Sequence, residues 1–555
     1  MNPKRKQLPE LAFLAIIFSG YFYVDVQAAT GIPHLVKKGS ATQLIVEGKP
    51  FLALAGELLN SSSSSFEYMK PIWPKLKLMN LNTVLAVVSW DMMEPEEGKF
   101  DFALVDGLIQ EARSYDLHLV ILWFGSWKNG ISHYVPDWVK KDTKRFPRVR
   151  IANGKTIEVL STFGETSRQA DARAFAALMR HIREIDSKKH TVIMIQVQNE
   201  VGVLGDSRDR CDAANAAFAG PVPERLMQYL IKNKDSLLPE LKDVWSTTGF
   251  KETGTWQEVF GYGVKADEIF MAWNYARYVN RVAEAGKKEY PLPMYVNAWI
   301  IQPRDKKPGD YPSGGPQAQN HDIWQAGAPN IDILAPDIYL PNFTEICDIY
   351  TRSGNPLFVP ESRAGAQGAA NLFYAVGQKN AIGYSPFGID SRIMDPENDP
   401  VVKSYKVLAQ LAPIILEYQG RDALASVVLN KDSPAQKISL GGYTLEVDRR
   451  RHRFFSSVPN LGYGIIISTD PDEYLIAGND IQITFFDVAG TQLVGLASVY
   501  EGEYVNGRWI AGRKLNGDDI MLNYHLDQMA AENRTGSVVR IQDGPAIRRV
   551  KLYRF

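Results

Sequence analysis

The chain has 555 residues, of which 45% are hydrophobic and 23% charged, with a formal net charge of −1. That length points to two or more domains, with one barrel able to absorb most of it, and the composition is that of a globular protein with a large core. A charge this close to zero excludes the basic footprint of a nucleic-acid binder and a polybasic membrane patch.

At the amino-terminus, Lys4, Arg5 and Lys6 precede a mostly apolar stretch over 11–24, and Val26, Gln27 and Ala28 follow as a small-residue cleavage site. This reads as a secretory signal peptide over residues 1–28, because the apolar stretch is short of a spanning helix. The mature protein is expected to be exported, to the periplasm or beyond, with no membrane insertion after cleavage. Cys211 and Cys347 are the only cysteines, enough for one disulfide or none. The eight histidines show no metal-ligand spacing, so no metal and no organic cofactor is expected.

From about residue 45 to 410, apolar strand-like runs alternate with helical patterns. That alternation predicts parallel strands joined by crossover helices. Eight runs qualify, over 51–57, 83–90, 117–123, 192–198, 294–299, 331–339, 356–361 and 381–387. Eight strands predict an α/β fold, a (β/α)8 TIM barrel over residues 29–412. Helical spacing appears at 106–114 and 170–185, and an insertion at about 203–290 carries further helical pieces at 223–232 and 266–285. A serine run over 61–65 reads as the loop after the first strand. Beyond residue 412 the runs shorten, at 426–429, 443–447, 463–468, 481–486 and 537–541, with Gly, Asp and Asn between them. They predict an all-β sandwich over residues 413–555.

In such a barrel the carboxyl ends of all strands face one mouth. Glu200 follows the fourth run directly after Asn199, and Glu361 closes the seventh. Those strands lie nearly across the barrel, so the two carboxylates are expected about 5–5.5 Å apart, the separation used by retaining glycosidases. One Glu would be the acid/base, the other the nucleophile. Either Glu alone is more often a solvated loop residue or an ion-pair partner; the pairing carries the inference. Asn199 is suited to donate to the sugar hydroxyl beside the reacting carbon. Further mouth candidates are Trp90, Trp299 and Tyr339 at the ends of strands two, five and six. Trp127 follows strand three with Lys128 and Asn129, Asn297 lies in strand five, and Glu57 ends strand one. For each aromatic residue, packing within the core is the competing reading. Asp337 and Asp390 also lie near strand ends, with no task read from the sequence.

These features resemble the large clan of retaining glycosidases that carries Asn-Glu after barrel strand four and a nucleophilic Glu after strand seven. Within it the chain most resembles the β-galactosidases of glycoside hydrolase family 35; family 42 is a neighbour with the same chemistry. The supporting residues are Gly56-Glu57, Asn82-Thr83-Val84, Trp90, Glu94-Pro95 and Gly98-Lys99-Phe100-Asp101-Phe102. The region behind the barrel resembles a poorly characterised module of a bacterial branch. The resemblance implies a retaining exo-β-galactosidase acting on terminal β-galactosides, xyloglucan-type plant glycans among them. Glu200 would be the acid/base and Glu361 the nucleophile, hydrogen-bonded by Tyr339, with Glu57 on a galactose hydroxyl or a neighbouring Arg. The chain departs from the family at Leu59, where His is usual, at Met93, where His usually precedes Glu-Pro, and at Ser362-Arg363, where an aromatic usually follows the nucleophile. These departures leave the natural substrate open. Two other readings stand beside it: another retaining β-glycosidase of the clan, an endo-glucanase or β-xylosidase, and an inactive carbohydrate-binding protein.

Overall fold

The computed structural model describes residues 31–300, 305–393, 395–449, 458–520, 538–542 and 544–555. The expected signal segment lies outside them.

The eight barrel strands are β1 (Ala53–Glu57), β2 (Thr83–Ser89), β3 (His118–Lys128), β4 (Val192–Asn199), β5 (Met294–Trp299), β6 (Ile333–Asp337), β7 (Phe358–Ser362) and β8 (Gly383–Pro386). They pair in parallel in the order β6-β5-β4-β3-β2-β1-β8-β7. The ring closes where the Ile338 amide donates to the Glu361 carbonyl at 2.9 Å, beside a parallel bridge from Ile338 to Ser362. Nearly every strand residue is buried, as both faces of a barrel strand must be. Alternate residues therefore sort inward and outward. Ala53, Ala55, Leu85, Val87, Val120 and Leu122 fill the interior, while Leu54, Val84, Ala86, Leu119 and Ile121 face the helices. An antiparallel hairpin, His34–Lys38 with Ala41–Val46, adds Leu44 and Val46 to the interior cluster.

The flanking helices include α1 (Ala103–Ser114), α2 (Glu165–Asp186) and α3 (Val264–Glu289). The stretch expected as an insertion holds four short helices and then α3, which packs along α2 as a crossover helix of the barrel. A side chain at Gly286 would meet the Phe175 ring at 2.2 Å, so this close crossing requires glycine.

Two more helices, α4 (Gly365–Gln378) and α5 (Pro400–Tyr418), lead into the carboxyl-terminal domain. Helix α5 continues through Pro413, and strands begin only at Leu424. Ten antiparallel strands follow among the described residues: β9 (Leu424–Asn430), β10 (Gln436–Leu440), β11 (Tyr443–Arg449), β12 (Leu461–Asp470), β13 (Glu473–Asn479), β14 (Ile481–Asp487), β15 (Val494–Val505), β16 (Arg508–Leu515), β17 (Val539–Ile541) and β18 (Ala546–Arg554). They form a six-stranded sheet, β9-β12-β13-β18-β15-β16, and a four-stranded sheet, β10-β11-β14-β17.

The larger sheet is apolar on both faces. From β12, Ile466 packs with Leu445 and Ile483 of the smaller sheet, while Tyr463, Ile465 and Ile467 join the barrel's own core. Gly377 of α4 would clash with Ser426 and Ile465 if it carried a side chain, so the helix lies directly on this sheet. Cys211 and Cys347 are both free thiols. No helix among the described residues is long and apolar enough to cross a membrane.

Candidate active site

The carboxyl end of β4 is bent out of strand geometry. Gln198 and Glu200 both adopt positive φ, 66° and 43°, a conformation side chains other than Gly or Asn rarely hold without outside support. Gln198 accepts from the Trp127 amide at 3.0 Å and donates to Asp171 at 2.7 Å. Asp171, wholly buried on α2, also accepts from the Trp123 indole at 2.9 Å and from the Ser126 hydroxyl at 2.5 Å. Burial pushes the Asp171 carboxyl up, and the bonds from Ser126, Trp123 and Gln198 oppose it. This buried network ties the ends of β3 and β4 together, so that Glu200 is held by a fixed backbone.

Asn297 on β5 connects the two candidate carboxylates. Its Oδ1 accepts from the Glu200 amide at 3.0 Å, and its Nδ2 lies 3.5 Å from Oε1 of Glu361 and 2.8 Å from Oδ2 of Asp337. Asn199 reaches the same Glu361 oxygen, also at 3.5 Å. The Tyr339 hydroxyl donates to the other, Oε2, at 2.7 Å. Burial and the Glu361 charge push the Tyr339 phenol up, so it remains a donor.

Four carboxyl groups converge here, from Glu57, Glu200, Asp337 and Glu361, with Lys128 as the cation that faces them. Water is largely excluded: Glu57 is completely buried and Glu200 is 9% exposed. Glu200 is raised to about 7, chiefly by burial and next by the Glu361 charge, with Lys128 opposing both. Burial likewise holds Asp337 and Glu57 well above the usual carboxylate range, with the Glu361 charge the next cause in each. Neither Glu57 oxygen has a hydrogen-bond partner among the described residues. A low-dielectric pocket cannot ionise all four acids together, so the protons stay on the most enclosed ones.

Above the carboxylates opens a cleft of about 530 Å³. Glu200, Asp337, Tyr339 and Glu361 line it together with Asn60, Lys128, Asn129, Trp299, Ile300 and Phe387. Trp299 stands at its edge, 39% exposed, in a position to stack on a ring. Among the described residues, no group of His, Cys, Asp and Glu is placed to hold a metal ion.

The structure thus brings together Glu200, Glu361, Asn199, Asn297, Tyr339 and Trp299. Glu57 belongs to the same electrostatic cluster but is too buried to reach the cleft surface. Two expectations are corrected. Trp90 and Trp127 are fully buried and absent from the cleft lining. The Trp90 indole donates to Glu94 at 2.7 Å, and the Trp127 indole donates to the Leu160 carbonyl at 3.1 Å while packing edge-on to Tyr275 and Tyr278. Both side chains turn outward into the layer between strands and helices. Sequence reasoning assigned nothing to Asp337, Asn60 or Phe387. Their shared signal was position alone: Asp337 is the last residue of β6, and Phe387 and Asn60 lie one and three residues beyond β8 and β1.

A glycoside hydrolase family 42 model, described as "Beta-galactosidase", matches residues 63–261, a stretch that includes Glu200 and stops short of Glu361. A domain of unknown function, DUF5597, matches residues 401–527. A β-galactosidase from Xanthomonas manihotis is 25% identical over 177 residues, which is 30% of this chain and 26% of that protein. The chain therefore spans about a quarter of the curated relative it matches, 26% of its length. Among solved structures, the β-galactosidase of the psychrophilic Marinomonas ef1 aligns with a TM-score of 0.45 at 12% identity, over 67% of this chain and 61% of that one. The cold-adapted enzyme of Rahnella sp. R3 aligns with a TM-score of 0.45 at 16% identity, over 69% and 58%. The family match falls on family 42 rather than on family 35, which the motifs most resembled; both are β-galactosidase families of one clan. The similarity to glycoside hydrolase family 42 thus lies over residues 63–261, within the barrel.

Proposed function

We propose that the protein is an exported, retaining exo-β-galactosidase that removes terminal β-D-galactosyl residues from oligo- or polysaccharides, xyloglucan-type glycans among them. The observation that carries this reading is Asn297, bonded to the backbone of Glu200 and reaching the carboxylate of Glu361 across one cleft. The family match supports the galactoside, and the charged, apolar start of the sequence supports export.

In this mechanism Glu361 attacks the anomeric carbon while Glu200 passes its proton to the leaving oxygen. A Glu200 pKa of about 7 leaves a large fraction of the groups protonated near neutrality, where an ordinary carboxyl would be almost wholly ionised, as a general acid requires. The Tyr339 hydroxyl and the Asn199 and Asn297 amides orient the Glu361 carboxylate and remain as donors when the bond forms. As Glu361 becomes an ester its charge disappears, and the Glu200 pKa falls toward that of an ordinary carboxyl. Glu200 can then take a proton from the incoming water, which releases galactose with its configuration retained.

The test is a panel of aryl β-glycosides and galactosylated oligosaccharides, with product stereochemistry followed by NMR. Preference for β-galactosides with retention is expected. Inverted product would contradict the assigned roles, and preference for glucosides or xylosides would move the protein to another activity of the clan.

A further inference from the structure

Asp337 stands among the catalytic groups without a task in the two-carboxylate mechanism. It closes β6, two residues beyond Ala335, which with Ile333 fills the barrel interior, so the same alternation turns Asp337 into the mouth. The side chain is 3% exposed and lines the cleft beside Glu200 and Glu361. Its Oδ2 accepts from Asn297 Nδ2 at 2.8 Å, and the Asn297 oxygen in turn accepts from the Glu200 amide at 3.0 Å. Its Oδ1 is enclosed and receives no bond from a donor among the described residues. Another carboxyl lies within reach: Asp337 and Glu200 hydrogen-bond through their side chains.

Two carboxyl groups bond each other only when at least one of them is protonated. The surroundings decide which one keeps its proton longer. Asp337 is faced by Glu57 from β1, Glu200 from β4 and Glu361 from β7, all of which disfavour a negative charge on it. Lys128 of β3, the cation of the cluster, acts on Glu57 and Glu200. The phenols of Tyr295 on β5, of Tyr339 just beyond β6 and of Tyr350 in the helix that follows are pushed up by burial and stay neutral. The proton therefore belongs on Asp337, and the charge, when there is one, on Glu200.

We propose that Asp337 is a positioning residue for the acid/base: it remains a neutral carboxylic acid and donates a hydrogen bond to Glu200 whenever Glu200 is ionised. The assignment rests on the retaining β-galactosidase reading. Once Glu200 has passed its proton to the leaving oxygen, the Asp337 hydroxyl bonds the new carboxylate and keeps its own proton. Glu200 later regains a proton from water, so none is lost or gained over the cycle. Asp337 thereby makes Glu200 a stronger acid in the first step and holds its carboxylate in place for the second.

The experiment follows kcat/KM for phenyl β-galactoside, whose poor leaving group needs the acid, against pH in the full chain, in Asp337→Asn and in Asp337→Leu. Asn keeps a neutral donor of the same shape, its oxygen toward Asn297 and its N–H toward Glu200, so the fall at high pH should stay where the wild type has it. Leu fills the same space without a donor, so the fall should move up by about one pH unit and the plateau should drop about ten-fold. A fall that moves down in Asp337→Asn would mean an ionised Asp337 and overturn the proposal. So would an unmoved fall in Asp337→Leu, which is what lost packing alone would give. Infrared difference spectra of the wild type against Asp337→Asn, at about pH 7 where ordinary carboxyls are ionised, read the proton without turnover. A protonated-carboxyl band present in the wild type and absent from the variant supports the proposal; no such band refutes it. A wild type that shows the band yet leaves β-galactosides uncut would sink the galactosidase reading and leave the neutral Asp337 standing.

Discussion

Replacing Glu200 by Gln converts the burial of this carboxyl into a measurable dependence of stability on pH. The folded-state pKa, about 7, lies above the ordinary 4.5, so the folded protein holds this proton more tightly than the unfolded chain does. The stability this carboxyl contributes is therefore fully present below pH 4.5 and is lost as pH rises to about 7. The loss amounts to about 3 kcal/mol once Glu200 is ionised in the folded state. Gln is neutral throughout and escapes it. Glu200→Gln should thus gain about 3 kcal/mol on the wild type between about pH 4.5 and 8, whatever constant offset its altered contacts impose. Urea denaturation followed by Trp fluorescence across that range measures the difference. A gap between the two proteins that stays constant with pH would show that Glu200 is not held neutral by its surroundings, and the argument for it as general acid would fail with it.

Four further outcomes are expected. The same titration should appear in catalysis, with kcat/KM for an aryl galactoside falling above about pH 7 as Glu200 loses its proton; a profile flat to pH 9 would contradict this. Glu361→Gln should abolish turnover and prevent trapping by a fluorinated galactoside, as seen by mass spectrometry of the intact chain. Tyr339→Phe removes a 2.7 Å hydrogen bond to a charged oxygen, worth about 1.5–3 kcal/mol, so kcat/KM should fall roughly 10- to 100-fold; an unchanged value would mean the hydroxyl does not act on Glu361. The two tryptophans at β3 and β5 should separate cleanly. Trp127→Phe should lower the melting temperature and spare KM, whereas Trp299→Ala should raise KM and spare the melting temperature.

The barrel was legible because its strands are apolar runs separated by amphipathic helices, and each of the eight expected runs overlaps an observed strand. Glu200 and Glu361 were legible for the same reason: counting strands places them, without side-chain detail. What counting does not reveal is direction. Trp90 and Trp299 both sit at strand ends, yet one turns into the core and the other to the cleft edge. The difference depends on where the strand stops and the backbone bends, which the alternating pattern cannot tell. The same holds at β4, where positive φ at Gln198 and Glu200 depends on Asp171, a residue 27 positions from Gln198 in sequence. The sandwich was legible in outline, but five of its described strands, β10, β13, β15, β16 and β18, were missed. In β15 and β16 many residues are polar or exposed, so hydrophobic alternation is faint there. The sandwich boundary expected after residue 412 falls inside helix α5, which carries Pro413 and continues to Tyr418.

Sharing one sheet between two hydrophobic cores has a consequence for how this chain can change. Tyr463, Ile465 and Ile467 lie under α4, and α4 follows directly from the strand that presents Glu361. Removing the sandwich would uncover the outer face of that helix, which backs the strand that presents Glu361. The sandwich is therefore no detachable accessory that recombination could swap for another module. It behaves as a buttress grown into the wall it supports, and any shortened or circularly rearranged form of the chain has to keep the two together.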